Sequence, residues 1–126
     1  LEPLIDAVKS KVRERGYVLG LDKRPIKCDA EFKSLNFLCQ SAGAILSKKW
    51  LVISHQMMEE CGLVYGKDYT RCAYVHDEQQ LSVVPSETDR VSKILEDAAV
   101  KAGEYYNFRV PITAESKVGA CWKDTH

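Results

Sequence analysis

The sequence predicts an α+β domain, a small antiparallel sheet backed by helices, and three observations carry that prediction. Two stretches, YVLGLDKRPIKC and RCAYVHDEQQLSVV, each set two apolar runs around a short polar interval, the signature of a β-hairpin. Three longer segments space their apolar residues every three or four positions, as helices do. With 45% hydrophobic residues in 126, the chain has enough apolar surface to bury a core.

The elements follow in order. Leu1, Leu4, Ile5, Val8 and Val12 recur at helical spacing, and Gly16 stands where a C-terminal cap belongs, so a helix ends near Arg15. The first hairpin turns around Asp22 to Pro25. From Ser34 to Cys61 the pattern is helical throughout and Gly62 offers a stop, which predicts a rod of roughly 40 Å at about 1.5 Å per residue. Its apolar stripe comprises Leu35, Leu38, Ala42, Ile45, Leu46, Ile53 and Met57, which makes Met57 and Met58 core or core-edge residues. Gly43, inside QSAGA, costs roughly 1 kcal/mol relative to alanine in a helix, so something large is expected to approach the backbone there, either a neighbouring element or a nucleic-acid groove. After the second hairpin, Ser86 and Asp89 resemble a capping box, and Val91, Ile94, Leu95, Ala98 and Ala102 carry a helix toward Tyr105. NFRVPITAES then reads as a final strand, with Pro111 placing it at an edge.

Eighteen basic and eighteen acidic residues cancel, but unevenly. Residues 1 to 50 hold ten Lys/Arg against six Asp/Glu, and residues 51 to 126 hold eight against twelve, which suggests one basic face and one acidic site. Seven basic residues against two acids lie between Lys9 and Lys27, equally readable as a solvated face or a phosphate-binding one. The five cysteines are widely spaced, with no CxxC pair, and read as free thiols in a reducing compartment. No apolar run reaches the length of a membrane span, and a cytoplasmic location is expected. The chain opens in helical register without a methionine, as a piece of something longer would.

The chemistry concentrates in His76, Asp77 and Glu78. Successive strand side chains point to opposite faces, so Asp77 and Glu78 can share a site only where the chain turns. Two carboxylates held close repel unless a proton or a cation intervenes, and Mg²⁺ takes oxygen ligands of this kind, filling its shell with water and phosphate oxygens. Metal-assisted phosphoryl transfer suits such a pair, and a solvated acidic turn is the plainer alternative.

Taken together, RERGYVLGLDKRPIKC, LNFLCQSAGA, YVHDEQ and YYNFRVPITAESKVGACW occur in the order found in the C-terminal part of the DNA polymerase I family (family A). The chain resembles that family over essentially its whole length, and most of all the replicative polymerases of short-tailed bacteriophages. The resemblance implies that residues 1–15 are the last helix of the fingers and 16–126 the C-terminal part of the palm. It implies that Asp77 is a ligand of the catalytic Mg²⁺ ions in a two-metal site that this sequence completes only in part. Glu78 becomes a nearby carboxylate of lesser weight, and His76 lies close to the primer terminus. Asn36 and Gln40, at the family's N-x-x-x-Q spacing, fall on a helix that contacts the minor-groove side of the primer-template, where the acceptors are similar for every base pair. Arg24 is implied in DNA contact.

Two positions depart from the pattern. Lys23 stands where a glycine usually precedes the Arg, and Gln79 and Gln80 follow His-Asp-Glu where an apolar residue is usual, which predicts a more exposed outgoing strand. The second metal-binding aspartate, the nucleotide-binding fingers helix and the thumb, through which phage enzymes can bind host thioredoxin, do not occur in this sequence. KDYT at Lys67 to Thr70 is not that aspartate's motif, because it lies nine residues before Asp77 and lacks the following Gln-Glu. The implied function is that of a C-terminal fragment of a DNA-directed DNA polymerase, inert alone, whose partners in the whole enzyme are primer-template and dNTP. Alternatives are a non-catalytic nucleic-acid-binding module and a metal-dependent nuclease using Asp77 and Glu78.

Overall fold

The computed structural model describes residues 2–125, so Leu1 lies outside it. The chain is α+β, with three α-helices and two two-stranded antiparallel sheets among the described residues. It divides into two compact units, Leu1–Ile45 and Leu46–His126.

In the first unit, α1 (Glu2–Arg15) ends as its glycine predicts. Gly16 adopts φ 78°, a conformation open to glycine without a Cβ penalty, and its N–H returns to the Val12 carbonyl at 2.7 Å. The chain then enters β1 (Tyr17–Leu19), which pairs with β2 (Pro25–Lys27) in the register Val18↔Ile26. Val8 and Val12 lie one helical turn apart and face Val18 and Cys28, with Ile26, Leu35, Phe37 and Leu38 packed at the margin. A bidentate pair between Arg13 and Glu31 ties α1 to the short 3₁₀ turn Glu31–Lys33 that leads into the next helix.

That helix, α2 (Ser34–Glu60), has the predicted length. In the second unit its last turns carry the core. Met58 is wholly buried beside Leu63, Tyr69, Val91 and Ile94, with Met57, Leu81, Val83 and Leu95 around them. Gly62, at φ 80°, ends α2, and the Leu63 N–H bonds back to the Met58 carbonyl. β3 (Tyr69–Val75) and β4 (Glu78–Val83) form the second sheet. Its register runs Tyr69↔Val83 to Arg71↔Leu81, skips Cys72 at a bulge, and resumes Ala73↔Gln80, Tyr74↔Gln79 and Val75↔Glu78. α3 (Thr88–Tyr105) buries Val91, Ile94, Ala98, Ala99, Ala102 and Gly103 along one stripe. The Trp50 indole N–H donates to the Leu95 carbonyl at 2.7 Å, binding α2 to α3.

Two sequence-based expectations fail here. The Ser86/Asp89 capping box does not form: Pro85–Glu87 makes a 3₁₀ turn, and Glu87, the N-cap, gives no side-chain bond. Proline at the first position of that turn fixes φ and shifts the helix start to Thr88, so Asp89 serves only as a first-turn acid. Residues 107–116 are not a strand. Asn107 takes φ 55° after α3, turning the chain back so that it lies along that helix. Ile112 then packs on Gly103, where a Cβ would come within 2.7 Å of it, and Ser116 bonds Glu96 and the Ser92 carbonyl. These side-chain bonds and the fit at Gly103 take the place of strand pairing.

Candidate functional site

The second hairpin is built to present a short polar turn. Val75 and Glu78 are paired, which leaves His76 and Asp77 as a two-residue connection. Such connections need a positive φ at a central residue to match the strand twist, and His76 supplies it at φ 53°. His76, Asp77 and Glu78 were expected together at the tip; the structure keeps His76 and Asp77 there and makes Glu78 the first residue of β4. All three are exposed. Asp77 and Glu78 offer two hard oxygen donors on consecutive residues, suited to part of a Mg²⁺ shell whose other ligands come from elsewhere. Among the described residues no cluster of three or more His, Cys, Asp and Glu is assembled.

The base of this hairpin is apolar and the region beneath its turn is polar. Gln79, expected on an exposed strand, is half-buried instead. Its Oε1 accepts from Arg71 Nε at 3.2 Å and lies 3.4 Å from the hydroxyl of Ser54, a wholly buried residue of α2. Arg71 Nη2 donates to the same Ser54 oxygen at 3.2 Å. Burial pushes the Arg71 guanidinium below its ordinary range, against the opposing pull of Tyr69 and Tyr65. Beside this network His55 Nδ1 meets the Tyr69 hydroxyl at 2.7 Å, and His55, Tyr65, Arg71, Cys72, Ala73 and Tyr74 line an open groove of about 450 Å³. Burial raises the Tyr69 pKa, against the opposing charge of Arg71. The bulge at Cys72 is what sequence reading misses. In an unbroken ladder Arg71 would face away from Gln79, whereas the skipped residue turns both to one side.

In the first unit Asn36 and Gln40 stand four residues apart on α2, hence on one face, and both are exposed. Gly43 extends that face, and a Cβ placed on it would meet no heavy atom within 4 Å. Among the described residues no neighbouring element packs against that glycine. Phe32, the most exposed large apolar side chain among the described residues at 76%, lies four residues before Asn36 and is not singled out by the sequence. Arg24 is engaged by Asp22, whose carboxylate accepts from its backbone N–H at 3.2 Å and from its guanidinium. Desolvation opposes ionisation of Asp22, but these Arg24 bonds prevail and hold its pKa below the usual range. Lys23, in the place of the family's glycine, adopts φ 65°. Asp68, of the discarded KDYT stretch, has a structural use: its carboxylate accepts from the Val64 N–H at 2.8 Å.

Comparison with known proteins decides the relationship. The chain is 36% identical over 119 residues to a DNA-directed DNA polymerase of Enterobacteria phage T3 and 34% identical over 119 residues to that of Escherichia phage T7, covering 90% of the chain in each case. It is similar to one part of these phage DNA-directed DNA polymerases. The polymerase of Escherichia phage Phieco32 is 35% identical over 133 residues, covering 98% of the chain. The chain spans only 16% of the length of the T3 and T7 enzymes and 20% of the Phieco32 enzyme. No protein-family model matches it. Its fold is similar to the POL domain of Pol1 from M. smegmatis, solved with DNA primer-template and dNTP, at a TM-score of 0.70 and 19% identity over 80% of the chain and 19% of that protein. Among the described residues no helix is long and apolar enough to cross a membrane.

Proposed function

We propose that this chain is the C-terminal part of a family A DNA polymerase, with residues 1–15 closing the fingers and 16–126 contributing to the palm, and that it acts in template-directed nucleotidyl transfer. The observation that carries the reading is the His76–Asp77 turn with Glu78 at the head of β4, held out by a long hairpin in a chain related to phage polymerases. Asp77 is assigned as the metal-binding carboxylate, Glu78 as a supporting one and His76 as a contact at the primer end. Bound Mg²⁺ would neutralise charge developing on the transferred phosphoryl group and its leaving oxygens. The chain's own part is to present Asp77 in an exposed two-residue turn at the tip of the hairpin.

Asn36, Gln40 and the open backbone at Gly43 form an exposed face suited to the minor groove, where acceptors recur at every base pair and a neutral amide tests geometry rather than sequence. Arg24, braced by Asp22, serves a backbone phosphate. Primer-template and dNTP are the partners in the whole enzyme, host thioredoxin is a further one through a thumb outside this sequence, and the place of action is the cytoplasm of the host.

The test is primed-template extension with Mg²⁺ by the full-length polymerase and by the 126-residue chain alone. Extension by the former and none by the latter is expected. Robust incorporation by the short chain would contradict the assignment of missing metal and nucleotide sites. In the full-length enzyme Gln40→Ala should change extension from paired and mispaired ends by different factors, and an unchanged ratio would remove its minor-groove role.

A further inference from the structure

The β3–β4 hairpin is anchored in two chemically different ways. At its base Tyr69, Leu81 and Val83 pack into the core around Met58. Toward its turn that apolar support runs out: Val75, His76, Asp77 and Glu78 are all exposed. Between them lies the triangle of Ser54, Arg71 and Gln79, which joins both strands to α2.

Its chemistry is directional. Arg71 only donates, so Gln79 must turn its carbonyl oxygen toward it, and the amide orientation is thereby fixed. A planar guanidinium that bonds two acceptors with two of its nitrogens constrains angle as well as distance. Those two acceptors belong to α2 and β4, while Arg71 itself sits on β3, so one side chain fixes both strands relative to the helix. Ser54 cannot yield, because it is wholly buried and its hydroxyl also bonds the Leu51 carbonyl at 3.0 Å. Gln79 follows Asp77 by two residues and pairs with Tyr74, so a rotation of Gln79 is passed directly into the turn. The arrangement is also costly. Gln79 Nε2 is buried without a hydrogen-bond partner, and the Arg71 charge is partly desolvated with Ser54 and Gln79 as its hydrogen-bond acceptors. Apolar residues at these positions would avoid both costs, so stability alone gives no reason for the triangle.

We propose that Ser54, Arg71 and Gln79 form a polar clamp that sets the position of the Asp77 carboxylate, making Arg71 and Gln79 positioning residues for nucleotidyl transfer. The inference rests on the assignment of Asp77 to catalysis. Placement errors of about 1 Å at a reacting centre cost on the order of a hundredfold in rate, which is ample reason to brace the turn.

Pre-steady-state incorporation by the full-length polymerase tests it, with burst rate and burst amplitude measured separately. Arg71→Met should lower the burst rate roughly ten- to a hundredfold, with the amplitude and the primer-template Kd unchanged. Gln79→Glu, which keeps acceptor oxygens for Arg71, should retain most of the rate. A fall in amplitude at unchanged rate would show that the triangle only helps the protein fold and would overturn the proposal. So would a normal rate for Arg71→Met, or a Gln79→Glu variant as slow as Arg71→Met. Asp77→Asn in the same assay separates the two levels: if it incorporates normally, the catalytic assignment itself fails, and if it is inactive while Arg71→Met is normal, only the clamp fails.

Discussion

The two hairpins of this chain solve the same geometric problem with different resources. β1–β2 has three residues per strand and a five-residue connection, and β3–β4 has seven and six residues and a connection of two. Each turn contains one non-glycine residue in the left-handed region, Lys23 at φ 65° and His76 at φ 53°. In the short hairpin the strained turn is held by a local brace, Asp22 against Arg24. In the long one the turn is supported from behind, by six strand pairs, the Ser54–Arg71–Gln79 contacts and the Met58 core. The lesson is that a hairpin can present an exposed, strained, polar turn in proportion to what anchors its base.

The largest effect expected from this contrast is at the anchor. Met58→Ala should destabilise the fold by about 2–5 kcal/mol, as large-to-small changes in well-packed cores do, read as a shift of the urea unfolding midpoint. A loss below about 1 kcal/mol would mean that the long hairpin is not held by this core. Gly62→Ala comes next. Nothing crowds a Cβ there, so its cost of about 1 kcal/mol would be purely that of φ 80°.

Replacing the strained residues should act in the opposite direction. Lys23→Gly and His76→Gly should each stabilise the fold by up to about 1 kcal/mol in the same unfolding assay. They should differ in function, with only His76→Gly slowing primer extension by the full-length enzyme. Equal extension by both would show that His76 is in the turn for its backbone alone.

The smallest effect concerns acid. The Glu31 pKa is lowered chiefly by its hydrogen bond from Arg13, and secondarily by the charges of Arg13 and Lys9, against desolvation. A carboxyl with a folded pKa below its unfolded value stabilises the fold above the unfolded pKa and loses that contribution as pH falls through the folded one. Melting temperature should therefore drop below the ordinary carboxylate range, and Arg13→Met should lessen that drop slightly. Asp22 adds to the drop in the same sense, through Arg24.

How much of this was legible in the sequence depended on the kind of signal. The glycine stops at Gly16 and Gly62, the length of α2 and both hairpins were readable, because backbone conformation and apolar periodicity are local properties. The last segment was misread for the same reason: its alternating residues look like a strand, but strand pairing needs a partner, and Ser116 bonds to α3 instead. The turn residues of the candidate site were visible as His-Asp-Glu. The clamp beneath them was not, since a bulge at Cys72 changes which residues share a face and leaves no mark in composition. Gln79 therefore looked like an exposed polar residue in a strand that wanted an apolar one.

The central claim is that, of three consecutive exposed residues, Asp77 carries the metal, Glu78 supports it and His76 serves the primer end. Single-nucleotide incorporation by the full-length polymerase, followed across Mg²⁺ concentration, tests it most directly with Asp77→Asn, Glu78→Gln and His76→Ala. Asp77→Asn should lower the rate at saturating Mg²⁺ by roughly a thousandfold or more, about 4 kcal/mol of barrier. Glu78→Gln should cost less and raise the Mg²⁺ requirement, and His76→Ala should leave that requirement unchanged. A normal rate for Asp77→Asn, or a larger loss from Glu78→Gln than from Asp77→Asn, would contradict the account.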